Sequence, residues 1–160
     1  MSVPAWKSEL SELLPMLGHR NWIAVVDSAY PLQIGGGIRT LVTYEELLVV
    51  AEEVQNLINA SRHVRATIRL DDELRSISDV KVPGIDEHRK KLNVLLEKAT
   101  PVYDSHEDII YKLHQASMMF ACVVLKTNAT LPYSSVFFEL ECKYWDEESE
   151  RGLVRAVRVE

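Results

Sequence analysis

A histidine and an aspartate eight residues apart are the side chains in this sequence best suited to proton transfer. His19 follows Gly18, and Asp27 ends the apolar run that begins at Trp22. In open α/β sheets, ligands bind beyond the carboxyl ends of parallel strands, and Asp27 takes that position. An imidazole near a carboxylate can exchange protons near neutral pH without metal or cofactor. The alternative interpretation is a histidine that caps a helix and an aspartate that begins a turn.

Two further segments carry polar groups that suit a small hydroxylated ligand. His106 lies in the first turn of a predicted helix that Ser105 caps, and Tyr133, Ser134 and Ser135 precede a predicted strand. Together they offer hydroxyls, backbone amides and an aromatic surface. Ligand pockets combine apolar surface with a few placed polar groups in this way, and the mixture fits a sugar. Taken singly, His106 could interact with its own helix end, and Tyr133 could fill an edge.

Other catalytic and cofactor motifs are not matched. The glycines at 35–37 lack the Lys-Ser/Thr ending of a phosphate loop and the spacing of a dinucleotide fingerprint, so they are either a flexible lid or a plain surface loop. The five histidines form no HxxH, HExxH or Cys/His cluster, so we expect no metal and no other cofactor. We predict that His63 and His88 lie on the surface. Ser134 and Ser135 lack the GxSxG context of a hydrolase nucleophile.

The composition predicts one globular domain over residues 1–160. Of its 160 residues, 47% are hydrophobic and 26% are charged, and the net charge of −6 argues against a nucleic-acid partner. The longest apolar stretch, Met118 to Leu125, is too short to span a bilayer, and no signal-peptide pattern is present. Cys122 and Cys142 make no disulfide framework, so we expect buried thiols in a cytoplasmic protein without a membrane partner.

Helical and strand-like segments alternate, which predicts a layered α/β domain. Strands are expected at residues 22–27, 64–70, 101–104, 119–126 and 134–144, and helices at 5–17, 43–59, 86–98 and 105–117. A charged connection at 146–152 and a last strand at 153–159 are expected to form an antiparallel C-terminal hairpin, which makes the sheet mixed.

Polarity alternates along the predicted strand at 134–144, which we therefore expect to be half exposed. The residues expected to face the core are Val136, Phe138, Leu140 and Cys142, and those expected to face solvent are Glu139, Glu141 and Lys143. Phe137 falls on the charged side. A large aromatic side chain in that position suggests a contact between subunits.

Taken in order, these segments resemble the D-ribose pyranase and L-fucose mutarotase family. The similarity covers most of residues 8–140 and is patchy between about residues 60 and 100. The matching stretches are Leu17-Gly18-His19 with Asp27 and Pro31, Leu47 to Glu52, Ser105-His106-Glu107, and Val123 to Thr127 leading into Pro132-Tyr133-Ser134-Ser135.

The resemblance implies a three-layer αβα sandwich with a mostly parallel sheet. It also implies a ring-like or dimeric homo-oligomer with sugar sites near subunit contacts. The family's proton-donating histidine falls on His19, its sugar-contacting aspartate on Asp27, and a sugar-binding histidine on His106. Its Tyr-x-Asn tripeptide falls on residues 133–135, so Ser135 stands where the family has an asparagine. The tail at 144–160 extends past the usual end of the family.

The activity implied is the interconversion of anomers, or of pyranose and furanose forms, of a free monosaccharide. One group removes the anomeric hydroxyl proton while another protonates the ring oxygen. The free aldehyde then recloses on its other face or through another hydroxyl. The alternative is a non-catalytic sugar-binding or regulatory oligomer of the same fold, which the serine at position 135 favours.

Overall fold

Residues 2–159, which the computed structural model describes, form six strands and five helices around one sheet. Met1 and Glu160, the ends of the predicted domain, lie outside the described residues. The strands are β1 (Trp22–Val26), β2 (Ile38–Val42), β3 (Val64–Asp71), β4 (Val102–Asp104), β5 (Cys122–Lys126) and β6 (Val136–Cys142). The helices are α1 (Ala5–Leu13), α2 (Leu47–Ala60), α3 (Ile85–Leu95), α4 (His106–Ser117) and α5 (Glu147–Val159). Short 3₁₀ turns follow α1 at Leu14–Met16 and β3 at Asp72–Arg75.

The sheet is mixed because one central strand runs against the others. Its strand order is β2-β5-β1-β6-β3-β4. The strands β1 and β5 pair in parallel, with Trp22 opposite Cys122, whereas β6 runs antiparallel to both β1 and β3. The carboxyl ends of β1, β3 and β5 therefore meet the beginning of β6 at one edge of the sheet. We call this the carboxyl edge, and the opposite end the amino edge.

Hydrophobic clusters cover both faces of the sheet, which confirms the predicted three-layer α/β class. On one face, α1, α2 and α3 pack on the sheet through residues such as Leu10, Val54 and Leu92. On the other face, α4 packs through Ile109 and Leu113. Strand β1 is buried along its whole length, as its continuous apolar sequence predicts for a strand covered on both sides.

The prediction that Phe137 makes a subunit contact is wrong. Phe137 is 0% exposed and belongs to the cluster beneath α4, where its ring centroid lies 6.3 Å from that of Tyr30. The physical reason is that β6 is a central strand, covered on both faces at its beginning. The charged side appears only further along the strand, where Glu139 pairs with Arg69 and Glu141 pairs with Arg65.

The prediction of a last strand at 153–159 is also wrong, since these residues belong to helix α5. Asp146 accepts a hydrogen bond from the backbone N–H of Ser149 at 2.6 Å, which begins the helix. The valines of this segment suggest a strand, but Leu153, Val154 and Val157 also share one face of a helix. The antiparallel element of the fold is therefore β6. Of the predicted connection at 146–152, Asp146 begins the helix and residues 147–152 form its first half.

Several smaller expectations have clear outcomes. Ser105 caps α4, since its hydroxyl accepts a hydrogen bond from the N–H of Asp108 at 3.2 Å. Strand β2 is absent from the prediction, and α2 begins at Leu47 without a side-chain cap. Cys122 is buried, as predicted, and Cys142 is partly buried. No helix within residues 2–159 has the length and apolar character needed to cross a bilayer.

The glycine loop passes close to the end of α4. A Cβ atom on Gly37 would clash with the backbone oxygens of Ser117 and Phe120, at 2.5 Å from the first, whereas one on Gly36 would meet open space. The carbonyl of Gly37 also accepts a hydrogen bond from the N–H of Cys122 at 2.8 Å. Close packing against α4 is thus a structural reason for glycine at position 37.

We predict that Gly37→Ala destabilises the fold and that Gly36→Ala does not. The alanine methyl at position 37 meets backbone atoms that cannot rotate away, so the free energy of unfolding should fall by about 1–3 kcal/mol, as for other overpacked sites. The matched Gly36→Ala variant should stay within about 0.5 kcal/mol of wild type. Urea unfolding followed by circular dichroism measures both, and equal stabilities would contradict the packing argument.

Candidate functional site

The carboxyl edge brings together polar side chains from distant parts of the sequence. Asp27 follows β1, Asp71 ends β3, and Ser135 immediately precedes β6. Because β6 runs antiparallel to its neighbours, its first residues lie at the edge where the other strands end. His106 begins α4 just after the short strand β4. The fold therefore gathers most of the predicted site residues at this edge, which is where α/β proteins bind ligands.

Asp27 and Ser135 form a reciprocal contact. The N–H of Asp27 donates to the Ser135 hydroxyl, and that hydroxyl donates to Oδ1 of Asp27, both at 3.3 Å. Ser135 is 1% exposed, whereas Asp27 is partly exposed. The next residue, Ser28, donates its N–H to the carbonyl of Ala129 at 2.8 Å, which ties the chain after β1 to the turn after β5. The Asp27 carboxylate is thus held at the edge, and Ser135 already uses its hydroxyl on it.

Asp71 and His106 form a second pair in the same cluster. Nδ1 of His106 lies 3.0 Å from Oδ1 of Asp71, whose side chain is 0% exposed. The other oxygen, Oδ2, is buried and has no hydrogen-bond partner within the described residues. Glu73 accepts from the backbone N–H of His106 at 3.0 and 3.1 Å, which places a carboxylate at the start of α4. Asp71 therefore orients the imidazole through Nδ1, and Nε2 is the nitrogen left for a ligand.

The surroundings raise the pKa of both groups in this pair, for different main reasons. The hydrogen bond to Asp71 raises the pKa of His106, against the opposing effect of burial. Burial raises the pKa of Asp71, and the bond from His106 only partly offsets that rise. The negative charges of Glu73 and Asp27 raise both pKa values further. A proton carrier whose pKa lies above that of free histidine is suited to act as an acid near neutral pH.

Two tyrosines complete the surroundings. The Tyr133 ring lies edge-on to the His106 ring, with centroids 5.5 Å apart. Its backbone is left-handed, with φ of 57°, a conformation that is uncommon for a residue other than glycine and often marks functional turns. Tyr30 is buried and donates its hydroxyl to Oε1 of Gln33 at 2.7 Å. Burial, with the charges of Asp71 and Asp27, raises the pKa of Tyr30, so its phenol stays protonated.

Ser134, which sequence analysis placed beside Tyr133 and Ser135 in the site, uses its hydroxyl in the turn. The hydroxyl donates to the carbonyl of Leu131 at 2.6 Å, and the residue is 0% exposed. The carbonyl of Ser134 interacts with the ring of His88, which is only 7% exposed. The prediction that His88 lies on the surface is therefore wrong, because α3 turns this side chain towards the Ser134 turn. Burial lowers the pKa of His88.

His19 lies at the amino edge, away from the cluster. It lines a cavity of about 340 Å³ with residues of α4 and β6, among them Tyr111, Lys112 and Glu139. Seven residues lie between His19 and Asp27, and the five that form β1 alone span roughly 16 Å at the rise of a strand. The structure thus joins Asp27, His106, Tyr133 and Ser135 within one chain and does not join His19 to them.

Sequence reasoning missed Asp71, Glu73 and Tyr30. A signal for Asp71 was present, because it follows an alternating strand in the same way as Asp27 follows β1. Two aspartates at the ends of parallel strands are expected to share one edge of the sheet.

Within residues 2–159 no group of three or more His, Cys, Asp or Glu side chains is arranged to hold a metal ion.

Comparison with known proteins reveals similarity of structure at low sequence identity. No protein-family model and no curated protein matches the sequence. RbsD from Bacillus subtilis, solved in complex with D-ribose, aligns with a TM-score of 0.60 and 21% identity, over 88% of this chain and 97% of that one. The fucose mutarotase of Streptococcus pneumoniae, in complex with L-fucose, aligns with a TM-score of 0.59 and 16% identity, over 83% and 91%.

A third solved structure, FucU from Bifidobacterium longum, aligns with a TM-score of 0.53 and 13% identity, over 84% of this chain and 94% of that one. These matches span most of both chains in every case. The protein therefore has the fold of RbsD and of the fucose mutarotases, which is the fold that the sequence resemblance implies. At these identities the comparison defines the fold alone, because one fold can carry many different functions.

We predict that Asp71→Asn lowers the pKa of His106. The substitution removes the charge and the strongest hydrogen-bond acceptor of the imidazolium, and both raise that pKa in the wild type. Titration of the His106 ring signals by NMR measures the change. Asp72→Asn is a matched control, because Asp72 is an exposed neighbour that pairs with Arg75. An unchanged His106 titration in Asp71→Asn would contradict the proposed orienting role of Asp71.

We also predict that His88 makes stability depend on pH. Its folded-state pKa lies below the value of about 6.5 for free histidine, so the fold favours the neutral ring. The stability that it contributes is present above pH 6.5 and is lost as the pH falls towards the lower folded-state value. The difference in unfolding free energy between wild type and His88→Gln should therefore shrink from about pH 7 to about pH 5. A difference that stays constant across this range would disprove the assignment.

Proposed function

We propose that the protein binds a free monosaccharide at the carboxyl edge and opens its ring, so that anomers, or pyranose and furanose forms, interconvert. The main observation in support is that the oriented Asp71–His106 pair lies in the same cluster as the Asp27–Ser135 contact. The fold is shared with two proteins solved in complex with D-ribose and L-fucose, which supports a sugar as the ligand. We place this activity in the cytoplasm, as expected from the cysteines.

The residues of the cluster divide between binding and proton transfer. Carboxylate oxygens accept hydrogen bonds from sugar hydroxyls, and Asp27 is partly exposed at the edge. The ring of Tyr133, 37% exposed, offers an apolar surface beside His106. Nε2 of His106 is free of Asp71 and can exchange a proton with the sugar. Ser135 acts on the sugar through Asp27, whose carboxylate it positions.

The reaction needs one acid and one base and no change of oxidation state. The base takes the proton of the anomeric hydroxyl, the C–O bond to the ring oxygen breaks, and the acid protonates that oxygen to give the open aldehyde. Closure on the opposite face reverses each transfer and gives the other anomer. Acid–base catalysis of this kind supplies about 10²–10⁴-fold in rate, which the residues of the cluster can provide without a cofactor.

His19 enters this proposal only through a second copy of the chain. Within one chain it is separated from Asp27 by the length of β1. An assembly that sets the amino edge of one copy against the carboxyl edge of another would bring a His19 to each Asp27. We therefore propose a homo-oligomer with sugar sites at the subunit contacts, in which His19 and Asp27 of different copies are the catalytic pair. If the copies do not meet in this way, His106 of the same chain as Asp27 transfers the proton instead of His19.

The proposal predicts that His19→Ala and Asp27→Asn each lower the rate of anomer exchange at least about 100-fold, the contribution of a general acid or base. Saturation-transfer NMR on a panel of aldoses measures the exchange. His114→Ala, a change at an exposed histidine near the end of α4, is the control and should leave the rate unchanged. A His19→Ala rate within about threefold of wild type would exclude His19 and leave the proton transfer to His106.

Mixing the two inactive variants tests the shared site directly. A site that takes Asp27 from a His19→Ala chain and His19 from an Asp27→Asn chain is intact. Random mixing of equal amounts should therefore restore about a quarter of the wild-type rate if neighbouring copies share sites. No recovery in a mixture shown to contain both chains would mean that His19 and Asp27 of different copies do not act together.

A second function, sugar binding without turnover, has one observation in its favour. Ser135 is buried and its hydroxyl is engaged with Asp27, so it supplies no amide to the ligand as the family's asparagine would. The same NMR experiment separates the two functions. Saturation that passes between anomers supports the enzyme, whereas line broadening of the sugar signals without such transfer supports a binding protein.

A further inference from the structure

A cavity of about 610 Å³ lies between the beginning of α2, one face of α3 and the turn after β5. Pockets that bind small molecules have volumes of about 300–1,000 Å³, so this cavity is large enough for one. The turn contributes residues 128–131 to its wall. Asp27, Asp71, His106, Tyr133 and Ser135 are not among the residues that line it. The cavity is therefore separate from the cluster at the carboxyl edge.

The walls of this cavity carry apolar side chains that are open to solvent. Val49 of α2 is 45% exposed, and Val94 of α3 is 69% exposed on the other side. Leu48, Leu95 and Leu131 are partly buried between them. Apolar side chains that meet across a concave surface are typical of a binding site. The apolar part of a ligand would cover them.

The charged groups that line the cavity are mainly acidic. They are Glu46 and Glu52 at the beginning of α2, and Glu87 and Lys91 on α3. Lys91 is paired with Glu87 at 3.2 Å, so its charge is already balanced. Glu46 and Glu52 form no ion pair within residues 2–159. Two carboxylates without a cation attract a positively charged ligand and repel a negative one.

His88 adds an unpaired polar atom to the same wall. The residue lines the cavity and is 7% exposed, and its Nε2 is buried without a hydrogen-bond partner within the described residues. Burial lowers the pKa of His88, which keeps the ring neutral. The interaction of the ring with the Ser134 carbonyl uses the proton of the other nitrogen, so Nε2 is left as an acceptor. A buried polar atom without a partner is unfavourable, and a donor on an occupant would compensate it.

We propose that this cavity binds a small organic amine, with its apolar body against the leucines and valines and its ammonium group at the acidic side. An ammonium group only donates hydrogen bonds, whereas the carboxylates of Glu46 and Glu52 and Nε2 of His88 only accept them. An alcohol of the same shape lacks the charge, and a carboxylate has the wrong sign. This site does not depend on the proposed sugar chemistry.

Three probes of equal chain length test the proposal: hexylamine, hexan-1-ol and hexanoate. Titrations followed by the amide NMR signals of residues such as Leu48 and Ala129 give the affinity of each. Hexylamine should bind at least about threefold more tightly than hexan-1-ol, as expected for contact with exposed carboxylates. Hexanoate should bind most weakly. Equal binding of amine and alcohol, or the lack of a saturable shift at these residues, would overturn the proposal.

Substitution of both free carboxylates shows whether they cause the preference. A chain with Glu46→Gln and Glu52→Gln should bind hexylamine and hexan-1-ol equally, and its retained binding of the alcohol shows that the cavity is intact. Glu12→Gln is the matched control, because Glu12 is an exposed glutamate of α1 outside the cavity. This variant should keep the preference for the amine. A preference that survives the double substitution would show that these carboxylates do not select the ligand, and the proposal would fail.

Discussion

The antiparallel insertion of β6 is the constraint on which the rest of the structure depends. Without it, the sheet would consist of two separate parallel parts, β2-β5-β1 and β3-β4, since β6 forms ladders with both β1 and β3. The reversed direction of β6 also carries Ser135 to the edge where β1 and β3 end, within reach of Asp27. The same backbone pairing thus joins the two parts of the core and assembles the candidate site from segments more than a hundred residues apart.

Burying Asp71 is unfavourable unless other groups compensate it, because a carboxylate loses its hydration in the interior. His106 supplies one hydrogen bond, yet Oδ2 has no partner within the described residues and other carboxylates lie near. Strongly perturbed buried carboxylates with a specific partner are concentrated at functional sites. The pair therefore stabilises the fold less than an apolar contact would, and its value lies in orienting the imidazole and raising its pKa.

The sequence predicts those features that local chemistry determines. The apolar run of β1, the Ser105 cap and the place of Asp27 follow from residue types and their neighbours. The burial of Phe137 could not be predicted, because it depends on where α4 covers β6. The helix at 153–159 could not be predicted either, because it buries no side chain within residues 2–159 and so leaves no core pattern in the sequence. The place of Asp71 at the carboxyl edge could have been predicted, because it follows a strand in the same way as Asp27. The distance of His19 from Asp27 could not, because it depends on the sheet as a whole.

The proposed contact between copies has a geometric consequence. A contact that sets the amino edge of one copy against the carboxyl edge of the next joins two different surfaces, so it repeats from copy to copy. It closes into a ring when the rotation allows and otherwise gives an open filament. In a closed ring every Asp27 meets a His19 of a neighbouring copy, whereas an open assembly leaves one incomplete site at its ends. A site shared between copies in this way therefore favours a closed ring, since only closure completes every site.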